Sequence, residues 1–223
     1  MHVIPRILTP DELTQVQAEL ANAEFVEGKH TAGRLVQSAK NNLQLKRTGT
    51  QPTKTDLLVL QALSRNDMFR SVTAIRRMLP PIFGKYLAGM QYGAHVDNAI
   101  MGAGEPIRAD ISVTLFLNDP ASYDGGELIV QTSMGERPVK LAAGDCVVYP
   151  ATSLHRVAPI TRGERLIAAT WVQSFVKDEA MREVLHELNV AAHRLAEKLS
   201  PDADEVKLIT RSYANLLRHF ADA

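Results

Sequence analysis

The residues of this sequence best placed to do chemistry together are two histidines, an aspartate and an arginine. His95 and Asp97 flank a single valine. Alternate side chains of an extended strand project from the same face, so an imidazole and a carboxylate at this spacing point together. Alone, such a triplet is a common accident, and a surface histidine beside a solvated aspartate is the ordinary reading. Further on, the apolar run Gly144-Asp145-Cys146-Val147-Val148-Tyr149-Pro150 reads as a strand; after a short polar loop, His155 opens another. Two imidazoles and one carboxylate are the set that holds iron(II) from one side and leaves three coordination positions open, as oxygen chemistry requires. A closed structural zinc site would need a fourth protein ligand, and a chain whose one cysteine is Cys146 has no thiolate cluster to supply it. Cys146 itself reads as a small buried hydrophobe.

Arg165 stands ten residues after His155, across the turn at Thr161-Arg162-Gly163. By alternation it shares a face with Ile167, Ala169 and Trp171 in a stretch that reads as sheet interior. A guanidinium facing inward there needs an anionic partner, and a ligand carboxylate would suit it. Without the metal ligands, an exposed arginine at a turn edge would be an equally good reading.

These residues need a sheet to position them. From Ser71 to about Phe175 the chain runs in short segments rich in Val, Ile, Leu, Phe and Tyr, separated by turn chemistry at Pro80-Pro81, Gly93, Gly102 to Pro106, Asp124-Gly125-Gly126, Gly144-Asp145 and Arg162-Gly163. That pattern fits a jelly-roll or related double-sheet barrel. Before it, Thr9-Pro10-Asp11-Glu12 has the form of a helix start with a capping box, leading to a helix ending near Ala21. The stretch from His30 to Lys54 is polar, and Thr55 to Leu63 carries leucines at helical spacing. After the barrel, Met181, Val184, Leu185, Leu188, Ala192, Leu195 and Leu199 lie on one helical face, and a second helix restarting at Ser200-Pro201 carries Val206, Ile209, Tyr213, Leu216, Leu217 and Phe220. The expected architecture is α+β: an N-terminal helical region packed on the sheet (1–70), a double-stranded β-helix or jelly-roll core (71–176) and a C-terminal helical hairpin (177–223).

The chain has 223 residues, 45% hydrophobic and 22% charged, which is enough to bury a core without a metal staple. Lys+Arg and Asp+Glu balance at 25 each, so the molecule lacks the field that gathers nucleic acid or anionic lipid. Neither a secretory leader pattern nor an apolar run long enough to span a bilayer is visible, and the cytoplasm is the expected compartment.

At this point the residues resemble a known family. H-x-D, a distal histidine and an arginine about ten positions later are the pattern of the iron(II) and 2-oxoglutarate dioxygenases. The similarity is closer to the bacterial PKHD-type hydroxylases, PiuC-like relatives of prolyl and lysyl hydroxylases. It is carried by Tyr92-Gly93-Ala94-His95-Val96-Asp97-Asn98-Ala99, Arg108-Ala109-Asp110-Ile111-Ser112, Tyr123-Asp124-Gly125-Gly126-Glu127-Leu128 and Tyr149-Pro150-Ala151-Thr152-Ser153-Leu154-His155, and it spans nearly the whole chain. The resemblance implies a double-stranded β-helix in which His95, Asp97 and His155 bind Fe(II) and Arg165 receives the remote carboxylate of 2-oxoglutarate. It also implies Tyr86 and Ser112 as further contacts to that co-substrate, and ascorbate as a reductant. The implied reaction is hydroxylation of a substrate coupled to conversion of 2-oxoglutarate to succinate and carbon dioxide. The substrate stays open between a prolyl or lysyl side chain of a peptide and a siderophore or other small molecule linked to iron acquisition. Two other classes fit the same ligands: a cupin-type metalloenzyme, which has no need of a carboxylate clamp at Arg165, and a non-catalytic iron or 2-oxoglutarate sensor, which would bind without turnover. The C-terminal hairpin could form a lid or a homo-oligomer contact.

Several other features read as structure. Gly125 and Gly126 suit a turn needing positive φ, with Glu127 supporting the sheet. Gly102-Ala103-Gly104 is too short for a dinucleotide fingerprint. Glu183 and His186 lack the second pair and further carboxylates of a di-iron site, His186 and His193 fit a solvated helix face, and His2, His30 and His219 have no companions at useful spacing.

Overall fold

The computed structural model describes residues 1–31, 38–47, 49, 51–102 and 104–222, with the side chains of 30 and 31 left out of the description. Part of the polar stretch read between His30 and Lys54, and Ala103 of the glycine pair, lie outside the described residues. In chain order the N-terminal part comprises β1 (His2–Ile4), α1 (Pro10–Ala21), β2 (Phe25–Glu27), β3 (Lys40–Asn41), β4 (Leu43–Leu45), α2 (Lys54–Arg65) and α3 (Asp67–Thr73). The strands β5 (Ile75–Met78), β6 (Ile82–Leu87), β7 (Gln91–His95), β8 (Ile100–Met101), β9 (Ile107–Arg108) and β10 (Ile111–Phe116) follow. Then come β11 (Asp124–Gly125), β12 (Leu128–Thr132), β13 (Gly135–Val139), β14 (Cys146–Pro150), β15 (His155–Val157), β16 (Ile160–Arg162) and β17 (Glu164–Ser174), before α4 (Glu179–Lys198) and α5 (Asp204–Phe220).

Helix starts obey local chemistry. Thr9 and Glu12 close a capping box on α1, as expected from the sequence, and Thr53 and Asp56 repeat it on α2. Thr53→Ala should therefore lower unfolding free energy by about 1 kcal/mol, seen as a fall in melting temperature of about 2–4 °C. Helix α3 was not foreseen. The stretch around Ser71 reads as the onset of strands, but Asn66 accepts from the Phe69 N–H and the buried Phe69, Val72 and Thr73 sit at helical spacing. The helix ends at Ala74, which adopts φ 42°.

Two antiparallel sheets face each other. The larger runs β1-β14-β10-β17-β6-β4-β2, with β5 also on β17, and the smaller runs β13-β12-β15-β7-β3. The segment before residue 71 is thus more than helices resting on a sheet. Strand β1 edges β14, β4 pairs with β6 and β3 pairs with β7. These strands are two or three residues long, too short for a period of two to register in the sequence.

The large sheet is buried on both faces. Toward the helices, Val113, Leu115, Cys146 and Val148 pack with Val16, Leu20, Val59, Leu63 and Phe69. Toward the small sheet, Phe116, Val147 and Ile167 pack with Leu128, Val130 and Val157. Alternation along β10 consequently sends Ser112 and Thr114 inward, into the cavity between the sheets.

The C-terminal helices pack on each other, and α4 also packs on α3. Asp178 caps α4, as its acceptor role toward the Met181 N–H shows. The second helix begins at Asp204, three residues beyond the expected proline, because Ser200 to Ala203 form a turn. Leu185 is buried, whereas Val184 and Leu199, expected on the same apolar face, are exposed. No helix among the described residues is long and apolar enough to cross a membrane.

Candidate active site

The site begins with a strand pairing. β7 and β15 are antiparallel neighbours in the small sheet, and the register places His95 directly opposite His155. Their rings stand 4.2 Å apart between centroids, tilted by 52°. Each ring is fixed by the same local device: His95 Nδ1 bonds the Gly93 carbonyl at 2.8 Å, and His155 Nδ1 bonds the Ser153 carbonyl at 3.0 Å. A carbonyl only accepts, so Nδ1 carries the proton in both rings and Nε2 presents a lone pair.

Asp97 lies just past the end of β7, in the connection to β8, rather than within the strand as alternation suggested. Its carboxylate nevertheless reaches the same place. Asp97 Oδ2 is 3.9 Å from His155 Nε2, and one ligand atom from each of His95, Asp97 and His155 lies within 4.8 Å of the other two. Ser112, inward on β10, donates its hydroxyl to Asp97 Oδ2 at 2.5 Å and orients that carboxylate. Tyr92 stacks on the His95 ring at 3.6 Å between centroids. Burial, with His155 close by, pushes the His95 imidazole down to about 4, so the ring is neutral and available as a ligand at physiological pH.

Arg165 enters the same cavity from β17, opposite Tyr86 in the register with β6. It is 1% exposed, and its Nε has no hydrogen-bond partner. Among the described residues no carboxylate pairs with it; its neighbours are aromatic, the guanidinium carbon lying 5.1 Å from the Tyr86 ring centroid and 5.4 Å from that of Phe116. Burial pulls its pKa down, countered by the nearby tyrosines. Room for the side chain depends on Gly126: at φ 69° a Cβ there would come within 3.0 Å of Arg165 Cδ and 2.2 Å of Ile160 Cδ1. Gly125 is likewise in the left-handed region, so the turn glycines behave as the sequence suggested.

One residue in the cavity escaped the sequence reading. Lys40, on β3 opposite Tyr92, is 6% exposed, with its ammonium 5.1 Å from the Tyr92 ring centroid. Burial lowers its pKa to about 8, against the pull of Asp97, which leaves the ammonium charged at neutral pH. A lysine within a polar stretch carries no local signal of burial; only the long-range pairing of β3 with β7 puts it there.

Residues 82–173 match the 2OG-Fe(II) oxygenase superfamily, and residues 179–222 match the PKHD-type hydroxylase C-terminal domain. A PKHD-type hydroxylase of Xanthomonas euvesicatoria pv. vesicatoria is 44% identical, with 98% of each chain covered. The chain belongs to the PKHD-type hydroxylases. A second such hydroxylase, from Thermosynechococcus vestitus, is 43% identical at the same coverage. Among solved structures, a Pseudomonas putida prolyl-4-hydroxylase matches with TM-score 0.56 at 22% identity, covering 78% of this chain and 91% of the other. A prolyl hydroxylase of Trichoplax adhaerens, in complex with a hypoxia inducible factor peptide, matches with TM-score 0.55 at 16% identity, covering 82% and 86%. These two bear on the fold, and they agree with the jelly-roll core expected from the turn pattern. The hydroxylase is thus a 2-oxoglutarate-dependent Fe(II) oxygenase by family.

Elsewhere in the hydroxylase, His2 does have companions. Its Nε2 lies 2.9 Å from Glu183 Oε2, and its ring meets that of His186 edge-on at 5.3 Å, while His186 Nδ1 bonds the Ser71 hydroxyl. This cluster ties β1 to α4, a contact between residues 181 positions apart that no sequence spacing discloses. Cys146 is fully buried, and burial pushes its thiol far above the usual range.

Proposed function

We propose that the hydroxylase holds Fe(II) through His95 Nε2, a carboxylate oxygen of Asp97 and His155 Nε2, and receives the remote carboxylate of 2-oxoglutarate on Arg165. The observation that carries this reading is the buried, anion-free guanidinium opening into the cavity that the three donor groups also line. A buried cation with only aromatic neighbours and no anion beside it is costly, and a dicarboxylic keto acid supplies both the missing anion and oxygens for a metal. The donor set suits the metal as well: two imidazoles and a carboxylate, gathered on one side, leave positions free on the other.

With iron(II) and 2-oxoglutarate bound, the site would couple decarboxylation of 2-oxoglutarate to succinate with hydroxylation of a substrate C–H bond. The chain's own part is positional. Gly93 and Ser153 carbonyls aim the two imidazoles, Ser112 turns Asp97, and Tyr86 and Phe116 flank the guanidinium and keep water from it. Tyr86 serves the co-substrate through Arg165 in this reading. Ser112, whose family position suggested a co-substrate contact, acts instead through the Asp97 carboxylate. Ascorbate as a reductant, and a peptidyl or small-molecule substrate linked to iron acquisition, belong to the same proposal by likeness to the family.

The test is anaerobic addition of Fe(II) and 2-oxoglutarate to metal-free protein. A weak visible metal-to-ligand charge-transfer band should need both additions, and admitting oxygen with ascorbate present, to reduce the second oxygen atom to water in place of a substrate, should release succinate. No band with both present would refute the reading, and a band without succinate would point to a sensor. Ser112→Ala should cost about 10- to 100-fold in metal affinity, measured by chelator competition, and Ser112→Thr should recover most of it by restoring the hydroxyl.

A further inference from the structure

The rung of the large sheet that carries Ser112 brings a second hydroxyl to the cavity. On β14, Tyr149 stands opposite Ser112 in the register with β10, and its buried side chain lines the same cavity as His95, Asp97, His155 and Arg165. It reaches both ends of that cavity. The ring meets the His155 imidazole edge-on, 5.2 Å apart between centroids, and it packs in one apolar cluster with Tyr86 and Phe116, the rings that flank the Arg165 guanidinium. A phenol so placed lies along the path from the metal ligands to Arg165.

The hydroxyl is arranged to donate. Burial pushes it far above the usual phenol range, so it keeps its proton under physiological conditions. Thr114, inward on β10 and itself buried, hydrogen-bonds the phenol oxygen in the sense that favours the phenolate, which makes Thr114 the donor and the phenol oxygen the acceptor. The phenol proton is thereby directed away from β10. Arg165 has donors only and cannot receive it, but an anion held by Arg165 can.

We infer that Tyr149 is a further co-substrate contact: its hydroxyl, oriented by Thr114, donates to the remote carboxylate of 2-oxoglutarate beside Arg165. This rests on the 2-oxoglutarate reading and adds a donor on β14 to it. That donor takes the place of the contact suggested for Ser112, whose hydroxyl is engaged by Asp97.

The experiment uses Tyr149→Phe, which removes the hydroxyl and keeps the ring against His155. On anaerobic, Fe(II)-loaded protein, titration of the charge-transfer band should show 2-oxoglutarate affinity falling on the order of ten- to a hundredfold. 2-Oxopentanoate, which has the same keto acid head and chain length but no remote carboxylate, should bind variant and wild type alike. Fe(II) affinity without a keto acid, from chelator competition, should not change. Thr114→Val should produce a smaller loss of the same kind, and no further loss when combined with Tyr149→Phe, with melting temperature confirming that each variant is folded. Unaltered 2-oxoglutarate affinity in Tyr149→Phe overturns the inference. So does a loss shared by 2-oxopentanoate or by metal affinity, which would assign the hydroxyl to Asp97 or the side chain to the support of His155. Should 2-oxopentanoate give no band with either protein, metal affinity alone makes that distinction. A wild-type protein without a 2-oxoglutarate band defeats the underlying reading and this inference together, whereas a wild-type band with Tyr149→Phe unaltered defeats only this inference.

Discussion

Arg165→Met is expected to weaken 2-oxoglutarate binding by roughly 2 to 5 kcal/mol, on the order of thirty- to several-thousand-fold in affinity, without loosening the fold. The two effects have different origins. In the protein free of co-substrate, the guanidinium is 1% exposed and its Nε meets no acceptor, so its desolvation is offset only by aromatic neighbours, the faces of Tyr86 and Phe116 and the nearby Tyr123 and Tyr149, and by no carboxylate among the described residues. Methionine fills much of the same volume along Gly126 and Ile160 without a charge to bury, and such replacements are commonly neutral or stabilising. The unfolding free energy of the metal-free variant should equal or exceed that of the wild type. Binding moves the other way, because a co-substrate carboxylate would meet apolar methionine where the guanidinium had stood. Titration of 2-oxoglutarate followed by the charge-transfer band, beside thermal melts without ligand, checks both. Unchanged affinity would remove Arg165 from the site, whatever its burial. Metal affinity without 2-oxoglutarate should stay near the wild-type value, since the triad does not touch the guanidinium.

The residues that answer to strand alternation were visible beforehand, and those that answer to register were not. Arg165, Ile167, Ala169 and Trp171 all line the cavity, as a period of two along one strand requires. His95 and His155 could be suspected from their types, but their apposition depends on the pairing of β7 with β15. Ser112 shows the boundary well. Its family position suggested a functional hydroxyl, yet its bond to Asp97 exists because the connection after β7 folds back toward β10, which local pattern does not encode. Lys40 and His2 lie further out of reach, since each acquires its neighbours through strands of two or three residues that leave no periodic trace. Helix α3 was misread for the opposite reason: its apolar residues serve a helical and a strand pattern equally over seven positions, and the Asn66 cap decides between them.

His155→Ala and His95→Ala should each abolish measurable Fe(II) binding and, with it, the charge-transfer band and oxygen-dependent succinate. With three donor groups, losing one leaves a histidine and an aspartate, a pair that water competes with readily. The loss should be specific to the metal. Each imidazole contributes one intraprotein hydrogen bond, to a carbonyl two residues before it, and its removal exposes that carbonyl to an open cavity where water can replace the donor. Far-ultraviolet circular dichroism should therefore match the wild type. His95→Ala also unstacks Tyr92, whose ring lies 3.6 Å from the imidazole, and should soften the β3 edge; His155→Ala leaves that stack intact. A larger fall in melting temperature for His95→Ala, with metal binding lost in both, separates the structural duty of the first ring from the ligand duty the two share. If either variant kept wild-type iron affinity, that histidine would be a packed ring and nothing more, and a metal held elsewhere would leave Arg165 facing the wrong cavity.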